Sequence, residues 1–178
     1  HGGLPRSPSA GLAEINALDR VAAAERQGQG SSQTLFTDLM WADPSPAPGS
    51  RQSQRGMNVM VFGPDVTQRF LSKNKLRLLI RSHEVKDEGY EWTHDGQCLT
   101  VFSAPDYCDS CDNRGAVVRL AVPAEGGALE PEVRCFDAAP RPPFYVPSMV
   151  YSPMNPACRQ FLSEEAKVVL TRFINEQR

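Results

Sequence analysis

No stretch of this chain approaches the 18 or so consecutive apolar residues of a membrane-spanning helix. The first residues, which include glycine, proline and arginine, contain no apolar signal-peptide core. The expectation is a soluble protein without a membrane partner. Runs of like charge are missing as well: 19 basic and 21 acidic residues leave a formal net charge of -2. That balance provides neither a nucleic-acid-binding stripe nor a lipid-binding patch. A disulfide framework is not indicated either, because five cysteines is an odd number and their irregular spacing suits free thiols in a reducing compartment. The location expected from this is cytoplasmic or nuclear. Position 1 holds a histidine rather than an initiator methionine, which suggests that an upstream segment has been cut away. A length of 178 residues suits one domain.

Periodicity sketches the rest. Ser9 can cap a helix running to about Arg26, with Leu12, Ile15, Leu18 and Val21 on one face. Residues 27–33 and 43–54 are rich in glycine, serine, glutamine or proline and read as loops around the apolar segment 35–41. Residues 57–62 predict a strand, and Pro64 at a first helical position opens a short helix through Val66, Phe70 and Leu71. The apolar run 76–81 predicts a strand buried on both faces. Residues 90–93 and 97–103 flank His94-Asp95-Gly96, a hairpin-turn signal that puts His94 at a loop tip. Two more strands, 115–122 and 132–136, flank a turn containing two glycines, and a proline-rich stretch from Pro140 to Pro156 should cross a surface. From Ser163 an acidic first turn opens a last amphipathic helix, with Val169, Leu170 and Phe173 on its apolar face.

Chemistry concentrates in three short motifs, H-G-G at residues 1–3, R-S-H-E-V at 81–85 and S-A-P-D-Y-C at 103–108. A neutral imidazole is the commonest nitrogen ligand for a divalent metal, and His1 and His83 both stand beside predicted strand ends. Together with the joining segments T-D-L-M-W-A-D-P at 37–44 and Q-R-G-M-N-V-M-V-F-G-P-D-V at 54–66, this order resembles the C-terminal half of the serine/threonine phosphoprotein phosphatases, closest to their type-5 branch. The resemblance implies an α+β fold: part of a β-sandwich flanked by helices, of the calcineurin-like metallophosphatase type with its N-terminal half absent. Residues 1–152 would be the catalytic portion and 153–178 a C-terminal tail with an amphipathic helix. It further implies that His1 and His83 bind one of two divalent metals (manganese, or iron and zinc), that Arg55 clamps the substrate phosphate, and that Tyr107 overhangs the site. Trp41 and Asp43 match the family's L-W-S-D-P segment, in which Trp41 would anchor the loop leading to Arg55. At position 106 the usual asparagine is replaced by Asp106, whose negative charge would weaken anion binding.

In that family two metals about 3.5–4 Å apart generate the nucleophile and neutralise phosphoryl oxygens. Three motifs that supply most of the ligands and the general acid (G-D-x-H-G, G-D-x-x-D-R-G and G-N-H-E) do not occur in this sequence. The resemblance therefore implies hydrolysis of phosphoserine and phosphothreonine in phosphoprotein substrates, with no catalytic acid in this chain and little activity from it alone. Regulatory subunits and chaperones are not specified by any residue. One alternative is a non-catalytic chain that binds phosphoproteins or partners. Another is a copper site built on the amine and ring of His1. Cys108-x-x-Cys111 is a single C-x-x-C and a weak metal or redox signal.

Overall fold

The computed structural model describes residues 1–25, 30–56, 58–121 and 130–140. Helices α1 (Leu12–Asn16), α2 (Arg20–Glu25) and α3 (Ser31–Trp41) lead into strands β1 (Asp43–Pro44), β2 (Ser50–Gln52) and β3 (Met60–Phe62). Then come α4 (Pro64–Asn74), β4 (Leu79–Arg81), β5 (Tyr90–Thr93), β6 (Cys98–Val101), β7 (Gly115–Ala121) and β8 (Glu130–Phe136). The class is mixed helix and strand, and the strands of the described residues are spread over more than one sheet. They fall into three, ordered β1-β3-β2, β4-β6-β5 and β7-β8. The reason is edge occupancy: β3 is paired on one side by parallel β1 and on the other by antiparallel β2, so it has no hydrogen-bonding edge left for β4.

The single helix expected between Ser9 and Arg26 is broken in two. Ser9 does not cap it; its Oγ lies 2.9 Å from Ser7 Oγ. Glu14 closes the first turn instead, its Oε2 accepting from Gly11 N–H at 3.0 Å. Asp19 Oδ1 then accepts from the N–H groups of Val21 and Ala22 at 3.1 and 3.0 Å, a cap that starts α2 and so ends α1 before it. The intended apolar stripe is not one buried face, since Leu12 is 40% and Val21 69% exposed. Residues 31–33, expected in a loop, form the first turn of α3, where the Gly30 carbonyl accepts from Thr34 N–H at 3.1 Å.

Pro64 opens α4 as expected, and the helix ends where Lys75 turns left-handed at φ 55°. The strand expected at 76–81 is shorter and is not buried on both faces. Leu76 lies before the strand and is 40% exposed, and β4, as the edge of its sheet, leaves Ile80 40% exposed while Arg81 points inward. Leu4, Ala42, Phe62, Val66 and Cys98 form the core, with Phe70 and Leu79 against it. Full burial of a ring such as Phe62 stabilises by about 2–3 kcal/mol, and this cluster ties the start of the chain to β3, α4 and β6. Strands β7 and β8 pair from Gly115 with Phe136 to Ala121 with Glu130. No helix among the described residues is long and apolar enough to cross a membrane. The turn after β7, the crossing beyond Pro140, the boundary at 152 and the helix from Ser163 lie outside the described residues.

Candidate active site

The two glycines after His1 are required by space. A Cβ on Gly2 would stand 2.5 Å from Trp41 N and 2.6 Å from Met40 C, both rigid backbone atoms, and one on Gly3 would collide with the Phe62 ring. Gly2 N–H donates to the Leu39 carbonyl at 2.8 Å, and Ser82 N–H donates to the His1 carbonyl at 2.9 Å. The first two residues are thereby strung between the end of α3 and the chain leaving β4. That strand delivers His83 two residues beyond its carboxyl end, the position where open α/β sheets present ligand-binding groups.

His83 sits at φ 74°, in the left-handed region that a non-glycine residue adopts only when its surroundings impose it. Its Nδ1 lies 3.1 Å from His1 Nε2, and the Trp41 ring meets it edge-on, with centroids 5.2 Å apart. Trp41 thus supports the histidine itself, a contact the sequence reading missed. Burial, opposed by the Asp43 carboxylate and aided by the smaller effects of Arg55, Arg81 and the N-terminal amine, holds the His83 pKa below its ordinary value. The ring is therefore neutral at pH 7, the form in which imidazole ligates metals. Its Nε2 is buried with no hydrogen-bond partner among the described residues, and an orphaned buried nitrogen calls for an explanation. Two imidazoles at this separation can share one proton or one cation, so the pair fits a partial ligand set for a divalent metal. It is partial because no group of three or more histidines, cysteines or carboxylates among the described residues could hold a metal.

Arg55 follows β2 and is 41% exposed at its side chain; its Nε donates to Asp43 Oδ2 at 2.5 Å. The other oxygen of Asp43 accepts from buried Arg81 at 2.7 Å. The structure therefore gathers His1, His83 and Arg55 around an Asp43–Arg81 pair. Arg81 was overlooked as a functional residue, although a charged residue closing an apolar strand run was a usable signal. Tyr107 sits on the β6–β7 loop, 44% exposed with its ring edge-on to Phe102 at 5.1 Å. Asn113, only 3% exposed, anchors that loop: its Oδ1 accepts from Tyr107 N–H and its Nδ2 donates to the Ala104 and Arg114 carbonyls. Asp106 takes φ 50° there, a left-handed position that both aspartate and asparagine tolerate. Cys108 and Cys111 are free thiols. His94, at its loop tip, is only 7% exposed and acts as a strut. Its Nε2 donates to the Ser45 carbonyl at 3.0 Å, and its Nδ1 accepts from Thr67 Oγ1 at 2.8 Å.

No family model matches the chain. Individual proteins do. Serine/threonine-protein phosphatase T of Trypanosoma brucei brucei is 44% identical over 142 residues, covering 80% of this chain and 28% of the relative. Serine/threonine-protein phosphatase 5 of Arabidopsis thaliana is 46% identical over 142 residues, 80% of this chain and 24% of the relative. The protein of that name from Rattus norvegicus is 46% identical over 125 residues, 70% of this chain and 24% of its own length. This chain thus spans about a quarter of these relatives. Among solved structures, a protein serine/threonine phosphatase from Saccharomyces cerevisiae, described as similar to human phosphatase PP5, superposes with a TM-score of 0.66 at 40% identity. The match covers 80% of this chain and 44% of that one.

Proposed function

Since this chain is a relative of the serine/threonine-protein phosphatases named 5 and T, we propose that it carries part of the active site of a protein serine/threonine phosphatase acting on phosphoserine and phosphothreonine. The observation that carries this is the convergence of the His1–His83 pair with an ion-paired, outward-facing Arg55. Arg55 grips two oxygens of the phosphate monoester through the nitrogens not engaged by Asp43, the planar fork being suited to that task. His1 and His83 hold one divalent metal of a pair (manganese, or iron and zinc), which when bound supplies an activated water and neutralises phosphoryl charge. Tyr107 flanks the substrate from its own loop. The similarity in fold supports assigning the three sheets to a calcineurin-like β-sandwich, and the free thiols support a cytoplasmic or nuclear location.

No G-N-H-E motif or carboxylate-bearing G-D motif is present in the 178 residues, so this chain by itself binds phosphopeptide without turning it over. Fluorescence anisotropy with a phosphoserine peptide should show binding that weakens about tenfold or more in Arg55→Ala, the loss expected for a bidentate charge-assisted contact. Hydrolysis in excess Mn²⁺ should not exceed that of a His83→Ala control. Fused behind the upstream region of the Arabidopsis relative, the same residues should turn the peptide over. A fusion that binds but never hydrolyses would favour the purely binding role.

A further inference from the structure

We propose that Arg81 is the positioning residue that sets the phosphate-gripping arginine and the histidine pair in one frame. This deepens the phosphoester-binding role above and rests on it. The Arg81 side chain is 1% exposed, and a charge buried that deeply persists only when its donors are matched. They are: Nε donates to the Gly2 carbonyl at 2.5 Å, Nη1 to Glu84 Oε2 at 2.6 Å and Thr100 Oγ1 at 3.5 Å, and Nη2 to the Ala42 carbonyl at 3.2 Å and Asp43 Oδ1 at 2.7 Å. A guanidinium has five N–H donors in a fixed fork, and a lysine ammonium has three on a flexible stem. Three of these acceptors sit beside site residues. Gly2 follows His1, Glu84 follows His83, and Asp43 reaches Arg55. By occupying Oδ1, Arg81 leaves Oδ2 as the Asp43 oxygen that takes Arg55 Nε. With Nε held, the two terminal nitrogens of this 41% exposed side chain are left for the phosphate. Arg81 itself is too buried to touch substrate, so it acts through Arg55.

The test is a double-mutant cycle on phosphoserine-peptide affinity, with circular dichroism as a check on folding. Arg81→Lys should weaken binding about tenfold, whereas Arg81→Lys placed in an Arg55→Ala background should weaken it no further, because the two act as one unit. Equal losses in both backgrounds, or no loss in either, would overturn the proposal. Asp43→Asn keeps the Arg81 bonds to Gly2, Ala42 and Glu84 and is the variant to use if Arg81→Lys does not fold. A second readout needs no peptide: the ¹H–¹⁵N signal of Arg55 Nε–H, identified by its loss in Arg55→Ala, should exchange slowly in the wild type and broaden or shift in Asp43→Asn and Arg81→Lys. An unchanged signal in the variant that folds refutes positioning. If the wild-type chain fails to bind the peptide, the phosphoester role falls, while the Nε–H signal still decides what Arg81 does.

Discussion

At His94 one ring nitrogen donates to the Ser45 carbonyl and the other lies 2.8 Å from Thr67 Oγ1, an arrangement that the neutral imidazole satisfies by accepting the hydroxyl proton. Burial holds its pKa below the ordinary histidine value, despite the Ser45 carbonyl, Asp95 and Asp65 pulling the other way. A base whose folded pKa lies below its unfolded value near 6.5 contributes its full stability above that pH and loses it as pH falls through the folded pKa. Urea midpoints should therefore drop more between pH 7 and pH 5 in the wild type than in His94→Phe. At pH 7 that variant should be less stable by about 1–3 kcal/mol, because Thr67 and Ser45 lose their partner. An identical acid-side slope in both proteins would remove His94 from the account. His94 also marks how far single residues were legible. His1, His83 and Arg55 stood out because each sits in a short, distinctive motif. The strut did not, because Thr67 is 27 and Ser45 49 residues away from His94, and local pattern contains no information about such pairs.

Among the elements, α3 has the most at stake, since its far end carries Trp41 and Leu39 against the histidines. It is fastened from beneath by Asp38, 1% exposed, whose carboxylate accepts from Arg6 N–H at 2.8 Å, from its Nε at 3.0 Å and from its Nη2 at 2.6 Å. Arg6 also reaches the Asn58 carbonyl at 2.5 Å, so one guanidinium joins the first loop, α3 and the turn before β3. Removing one partner of such a pair leaves an uncompensated charge. Asp38→Ala should cost about 3 kcal/mol, the lower end for buried pairs because Arg6 is partly exposed. Chemical denaturation measures this, and a loss below 1 kcal/mol would show the pair to be peripheral. Such fastening is also why element boundaries were only partly legible. Pro64 and Gly63 marked α4 through local stereochemistry. The break between α1 and α2 depends instead on Asp19 bonding the backbone ahead of it, which competes with a hydrophobic period that appeared continuous. For β4, the apolar run identified a strand but not its place at a sheet edge, which depends on β6 being paired on its other side by β5.

For the molecule as a whole, the decisive quantity is how much of a metal shell these residues can build. Two imidazoles without carboxylates form a borderline, nitrogen-only partial site, and such donors bind Ni²⁺ above Mn²⁺ in the ordinary affinity order, whereas manganese favours carboxylate and water oxygen. The mixed α and β class and the histidine pair were both legible in the sequence. The division into three sheets was not, because strand pairing is set by which edges neighbours fill rather than by any strand's own residues. The same distinction governs metal choice: the ligand types can be read locally, but their number depends on what the fold brings beside them. Titration calorimetry on this chain should show Ni²⁺ binding at least tenfold more tightly than Mn²⁺, consistent with that affinity order. His83→Ala should erase most of the difference, since one remaining ring offers either ion a single nitrogen. Should Mn²⁺ bind as tightly as Ni²⁺, oxygen ligands from elsewhere in the 178 residues must complete the site. The chain would then hold a fuller metal centre than its two histidines supply, and the case for binding without turnover would fail with it.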